Sequence, residues 1–181
     1  VKNVLLLGDS IRMLYEPLVK NKLRDRARVY GPEENGRWAG YTLNSLRFWL
    51  PDMPKPDIVH WNNGLWDMGD DYGLGRPFSL PEEYVSALER TILVLRKLCG
   101  DTVQIIMATT TPAADTDPAA RHTYNELLKG TAARHGLPVN DLFALIAADI
   151  PGNISPDRIH LTRKGMELAA AQVAAGIEKY L

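Results

Sequence analysis

Cysteine is nearly absent from this 181-residue chain, with Cys99 standing alone. A single thiol forms no intrachain disulfide, and cysteines supply no zinc cluster. Cys99 falls on a Tyr84, Leu88, Ile92, Leu95 stripe at helical spacing, where a buried thiol is ordinary packing. Long hydrophobic runs are missing as well: no stretch approaches the roughly 18 apolar residues that a membrane-crossing helix needs. Residues 1–7 lack the charged start and cleavage site of a secretory signal. The chain as given therefore reads as soluble and cytoplasmic, with secretion left open because it starts at Val1 without methionine. Charge of one sign is not in excess either. There are 21 Lys and Arg against 22 Asp and Glu, a formal net charge of -1, which gives no broad attraction to nucleic acid or to anionic lipid. Neither a nucleic acid nor a membrane is an expected partner, and oligomeric state is open. No internal repeat, low-complexity tract or linker divides the chain. Residues 1–181 read as a single domain, at a length where about 70% of the unfolded surface is buried.

What is present is an alternation. Short β-rich runs at 3–7, 27–30, 57–62, 103–109 and 138–140 are separated by segments of helical periodicity at 11–25, 42–50, 82–99, 118–135 and 163–180. Pro81-Glu82-Glu83 and Asp117-Pro118 carry the proline and acids of a first helical turn, and Thr162 is placed to cap the last helix. Five strands alternating with helices imply a three-layer α/β/α sandwich with a five-stranded parallel sheet, because parallel neighbours need long crossovers and both faces must be covered. Sites in such sheets form beyond the carboxyl ends of the strands. The loops 31–41, 64–80 and 110–117 are the ones long enough to build one.

Gly8-Asp9-Ser10 ends the apolar run Val4 to Leu7 and opens a helix. A serine on such a turn stands beside unpaired backbone N–H groups and becomes a nucleophile only if a base takes its proton. Of the four histidines, His60 sits inside the third strand, His122 on a polar helix face and His135 at a helix C-terminus, placements that need no chemistry. His160 differs. It lies in a loop at the right end of the sheet, three residues after Asp157, whose carboxylate can hold an imidazole in one tautomer. Asp9 reads chiefly as a partner for local backbone groups. Arg12, one turn on, reads as a solvated side chain or as a partner for an anionic substrate group.

Taken together these blocks resemble the SGNH hydrolases, the GDSL esterase and lipase superfamily, over nearly the whole chain. Val4 to Ser10 matches the first block, Ala39-Gly40-Tyr41-Thr42 the second, and Asp157 with His160 the fifth. The third block departs: Gly64-Leu65-Trp66-Asp67 has tryptophan where the family usually places its oxyanion-hole asparagine. A subset of the family carries Asn-x-Gly-Leu-His-Asp at this point, which makes Asn62 the preferred donor and Asn63 the alternative. The resemblance implies the flavodoxin-like fold of these enzymes, Ser10 as nucleophile, His160 as general base and acid, and Asp157 as its orienting acid. The backbone N–H groups of Ser10 and Gly40 with Asn62 or Asn63 would form the oxyanion hole. It implies no metal and no organic cofactor.

The expected substrate is a small-molecule ester with a short acyl group, O-acetyl first, on an alcohol such as a carbohydrate. Trp66 and Asp9 are the residues expected against it. Trp38, Trp61 and the aromatic residues of 64–80 read equally as substrate wall or as core. Two rivals remain at this point. One is a phosphate-binding turn at Gly8-Asp9-Ser10, weakened by the lack of G-x-G-x-x-G and G-x-x-x-x-G-K-[ST]. The other is a catalytically weak protein of the same fold that binds glycans or partners.

Overall fold

The computed structural model describes residues 1–113 and 117–181, so residues 114–116 of the 110–117 loop lie outside it. Five strands, β1 (Lys2–Gly8), β2 (Ala27–Tyr30), β3 (Ile58–Asn62), β4 (Gln104–Ala108) and β5 (Val139–Asn140), pair in the order β2-β1-β3-β4-β5, all parallel. The principal helices are α1 (Ser10–Leu23), α2 (Ala39–Trp49), α3 (Pro81–Cys99) and α4 (Pro118–Arg134). Two short ones, α5 (Leu142–Ala147) and α6 (Ile150–Asn153), precede α7 (Arg163–Glu178).

The period of two along β1 explains the three layers. Val4 and Leu6 turn to one face and pack with Ile11, Tyr15, Val173 and Ile177 of α1 and α7. Leu5 and Leu7 turn to the other and pack with Leu46, Leu88 and Leu128 of α2, α3 and α4. All four are fully buried, as expected of a parallel strand covered on both sides. Cys99 is buried at the end of its stripe on α3. No helix among the described residues is long and apolar enough to cross a membrane.

Helix ends are set by side chains. Asp9 accepts from the Ile11 N–H (2.9 Å), Asp117 from the Ala119 N–H (3.0 Å) and Thr162 Oγ1 from the Gly165 N–H (3.0 Å), each satisfying an orphan donor of a first turn. At α3 the Glu83 carboxylate accepts from the Leu80 N–H (2.7 Å). Asp67 reaches across from the loop after β3 and accepts the Ala39 N–H at the start of α2 (3.0 and 3.2 Å) and the Ser79 hydroxyl (2.8 Å). One buried carboxylate thus ties together the second and third loops at the carboxyl edge of the sheet.

Candidate active site

Ser10 is the first residue of α1, and the strand-to-helix turn that carries it depends on Gly8. Gly8 sits at φ 148°, and a Cβ there would lie 2.0 Å from Asn62 Oδ1 and 2.6 Å from the Asn62 carbonyl, so only glycine fits. Its carbonyl accepts the Gly36 N–H (2.9 Å), which brings the loop after β2 against the turn. That loop is held from below by Arg12. The guanidinium is 2% exposed and donates to the carbonyls of Pro32 (2.9 Å) and Glu34 (2.8 Å) and to Glu16 Oε2 (2.5 Å). Arg12 is therefore neither solvated nor free for a substrate anion: it braces the loop from inside the fold.

The loop between α6 and α7 carries Asp157 and His160. Ile154 and Leu161 pair across its neck, and the Ser155 N–H donates to the His160 carbonyl (2.7 Å), closing the segment on itself. Asp157 Oδ1 accepts from the Ser155 hydroxyl (2.6 Å) and from the N–H groups of Ile159 and His160 (2.9 Å each). Its other oxygen meets His160 Nδ1 at 2.7 Å. These bonds, the Ser155 hydroxyl foremost, hold the carboxyl well below the usual carboxylate range. Asp157 therefore remains an acceptor for the ring N–H throughout the neutral range. The far nitrogen, His160 Nε2, stands 3.0 Å from Ser10 Oγ. Chain positions 10, 157 and 160 so form one connected serine, histidine and carboxylate line with the reach that proton transfer requires.

Beside it lies a cavity of about 210 Å³ lined by Ser10, His160, Leu65, Trp66, Gly69, Asp71, Ala113 and Ile159. A second, of about 180 Å³, shares Gly69 and Asp71 with the first and is walled by Tyr72, Leu74, Arg76 and Phe78. Asp70 shapes this second cavity, its two oxygens accepting from the N–H groups of Leu74 (2.7 Å) and Gly75 (2.8 Å). Among the described residues no group of three or more His, Cys, Asp or Glu side chains is arranged to hold a metal ion.

The expected oxyanion donors separate. The Ser10 N–H lies in the first turn of α1, whose amides have no intrahelical partner. Asn63 has both amide atoms committed: Nδ2 donates to the Arg37 carbonyl (2.6 Å) and Oδ1 accepts from the Trp61 indole (2.5 Å). It serves to hold the turn after β2, where Arg37 adopts φ 50°. Asn62 pairs in register with Gly8, accepts the Tyr15 hydroxyl at Oδ1 (3.2 Å) and keeps Nδ2 without a partner among the described residues. The Gly40 N–H, at the second position of α2, likewise lies in a first helical turn whose amides have no intrahelical partner, and Gly40 also borders a groove between α2 and α3 with Leu43, Arg47 and Ala87.

Of the two residues expected against substrate, Trp66 lines the cavity and is 37% exposed. Asp9 does not. It is 1% exposed, Oδ1 serves the Ile11 N–H, and burial pushes the carboxyl up to about 6, so it is a helix cap sealed from ligand. The other tryptophans resolve too: Trp61 is core at 1% exposure, and Trp38 packs on Tyr41 and Phe78. His60 is fully buried in the sheet, His122 is exposed, and His135 ends α4. Ser155, Asp71 and Tyr15 join the site without having been anticipated. Ser155 had a local signal, a hydroxyl two residues before the acid. Tyr15 had none, because it falls on the same apolar stripe as Ile11 and Val19.

No family model matches the sequence, and no curated protein matches it by sequence. Solved structures do match in fold. An acetyl xylan esterase, AlAXEase, superposes with TM-score 0.79 at 17% identity over 97% of this chain and 99% of that one. A lipase/acylhydrolase from Enterococcus faecalis gives 0.77 at 20% identity over 99% and 96%. An acetyl-xylooligosaccharide esterase from Geobacillus Stearmophilus gives 0.74 at 20% identity over 97% and 94%. With GDSL-like lipases also among the matches, the fold is that of the SGNH hydrolases, the family the sequence motifs resemble.

Proposed function

We propose that this chain, built on the SGNH-hydrolase fold, is a serine carboxylic ester hydrolase that removes short acyl groups, acetyl foremost, from a carbohydrate alcohol. The observation that carries the reading is the continuous line from Ser10 Oγ to His160 Nε2 (3.0 Å) and from His160 Nδ1 to Asp157 (2.7 Å). Ser10 Oγ attacks the ester carbonyl while His160 Nε2 takes its proton. The imidazolium formed is stabilised by Asp157 and returns the proton to the leaving alcohol as the acyl-enzyme forms. Water, deprotonated by the same nitrogen, then hydrolyses the acyl-enzyme, giving the carboxylic acid and free serine. The oxyanion of each tetrahedral intermediate is met by the Ser10 and Gly40 N–H groups and the Asn62 amide, and loss of one such donor costs on the order of 10²- to 10³-fold in rate.

Size and chemistry favour a short acyl group on a polar alcohol. The cavity at Ser10 is about 210 Å³, with apolar walls from Leu65, Trp66, Ala113 and Ile159, and supports an acetyl-sized group better than a long chain. The adjoining cavity offers the rings of Tyr72 and Phe78 with the charged ends of Asp71 and Arg76, a combination suited to the apolar face and hydroxyl edge of a sugar. Solved structures that share this fold include an acetyl xylan esterase and an acetyl-xylooligosaccharide esterase. The test is hydrolysis of p-nitrophenyl acetate. Wild type should turn it over, and Ser10→Ala and His160→Ala should lose at least 10³-fold in kcat with unchanged circular dichroism. Undiminished turnover by Ser10→Ala would overturn the reading.

A further inference from the structure

The amide of Asn62 works only one way round. With Nδ2 toward the reacting carbonyl oxygen it donates to the developing anion, and flipped by half a turn it presents an acceptor that repels it. We propose that Tyr15 is the positioning residue that fixes this choice, its hydroxyl donating to Oδ1 so that the Nδ2 hydrogens remain for the oxyanion. The inference rests on the ester-hydrolase reading and adds to it a residue that never meets substrate.

Four observations carry it. The Tyr15 hydroxyl lies 3.2 Å from Asn62 Oδ1, and this is its one hydrogen bond among the described residues. Tyr15 is fully buried and Asn62 is 1% exposed, so the bond between them is sheltered from bulk solvent. Nδ2 of Asn62 has no partner among the described residues, although the residue is only 1% exposed, whereas both amide atoms of neighbouring Asn63 are bonded. Gly8 supplies the room: it pairs with Asn62 in register, and any Cβ there would collide with Oδ1.

The tyrosine is itself braced. Its ring stands edge-on to His60, with centroids 6.3 Å apart and planes at 88°. His60 Nε2 lies 3.1 Å from Asn140 Nδ2, and Asn140 Oδ1 accepts from Gln172 Nε2 (2.8 Å). Side chains of α7, β5 and β3 are thus linked by hydrogen bonds up to His60, whose ring packs against the edge of Tyr15. Ser10 and Tyr15 also belong to the same helix, α1. The nucleophile and the group that orients the oxyanion donor are therefore held by one rigid element, and their relative placement does not depend on a loop.

The test uses Tyr15→Phe, Asn62→Ala and the double variant of the full chain, with p-nitrophenyl acetate kinetics and inhibition by phenylboronic acid, which forms an anionic tetrahedral adduct on an activated serine. Tyr15→Phe should lower kcat about 10-fold with KM unchanged and weaken phenylboronic acid by a similar factor. Asn62→Ala should lower kcat about 10²-fold or more. The double variant should be no slower than Asn62→Ala alone, because Tyr15 acts through that amide. A Tyr15→Phe variant with a lower Tm but wild-type kcat and inhibitor affinity would overturn the proposal, as would losses that multiply in the double variant. Failure of the wild type to hydrolyse the ester would instead overturn the enzymatic reading on which the proposal stands.

Discussion

Asp157 shows what a single residue does here. Its carboxylate accepts from one hydroxyl, two backbone N–H groups and the imidazole, so the acid is both ionised and immobile before substrate arrives. Asp157→Asn would leave the loop nearly isosteric but turn an N–H toward a ring nitrogen that must itself donate. The expected outcome is a loss of about 10³- to 10⁴-fold in kcat, with KM little changed, measured on p-nitrophenyl acetate. At this scale the sequence was legible wherever chemistry and chain proximity coincide: Asp157 and His160 are three residues apart, and Ser10 sits on a turn only glycine permits. It was not legible where a polar group hides on an apolar stripe. Arg12 looked like a surface side chain because nothing in its neighbours announces that the carbonyls of Pro32 and Glu34 will close over it. Asn62 and Asn63 are adjacent and identical, and only the partners the fold brings to each separate the amide that keeps Nδ2 unpartnered from the one bonded at both atoms.

Among the elements, the segment after β3 contributes walls to both cavities at the candidate site. Asp67 fixes its root by joining Ala39 to Ser79, and Asp70 fixes its tip. Removing the first tie with Asp67→Ala leaves a helix N-terminus uncapped and a buried hydroxyl unpaired, and should lower unfolding free energy by about 1–3 kcal/mol in urea titrations. On the proposed function, the tip bears on the alcohol. Acetylated xylose, xylobiose and xylotriose should be cleaved with kcat/KM rising by about 10-fold with length, and Tyr72→Ala with Arg76→Ala should flatten that rise. Equal values for all three in the wild type would contradict a role for the second cavity. The five long helices and the central strands β1, β3 and β4 were readable from periodicity because each buries a continuous stripe, and the edge strands β2 and β5 from their place in the alternation. The short helices α5 and α6 were not, since six and four residues are too few to show a helical period.

At the scale of the whole molecule, buried titratable groups make stability depend on pH in opposite directions. Burial lowers His60 to about 3, so between about pH 6.5 and 3 the unfolded chain binds a proton that the native protein refuses. This contribution is present above 6.5 and is lost as pH falls, by about 1.4 kcal/mol per pH unit. Asp9 and Asp67 are raised by burial to about 6 and about 7, so the native state holds protons that the unfolded chain has released. Their contributions are present below about pH 4 and are lost as pH rises toward those values. His60→Gln removes the first term alone. Its stability deficit relative to wild type should narrow by about 1.4 kcal/mol per unit as pH falls from 6 to 4, measured by urea unfolding. A deficit independent of pH would contradict a neutral, buried imidazole.

The central claim concerns a serine activated across 150 residues of chain by a histidine from the last loop. It is tested most directly by incubating the protein with a fluorophosphonate probe and locating the adduct by peptide mass spectrometry. The account predicts stoichiometric phosphonylation of Ser10 in the wild type and labelling slowed by orders of magnitude in His160→Ala. An unlabelled Ser10 in folded wild-type protein, or labelling equally fast without the histidine, would contradict it.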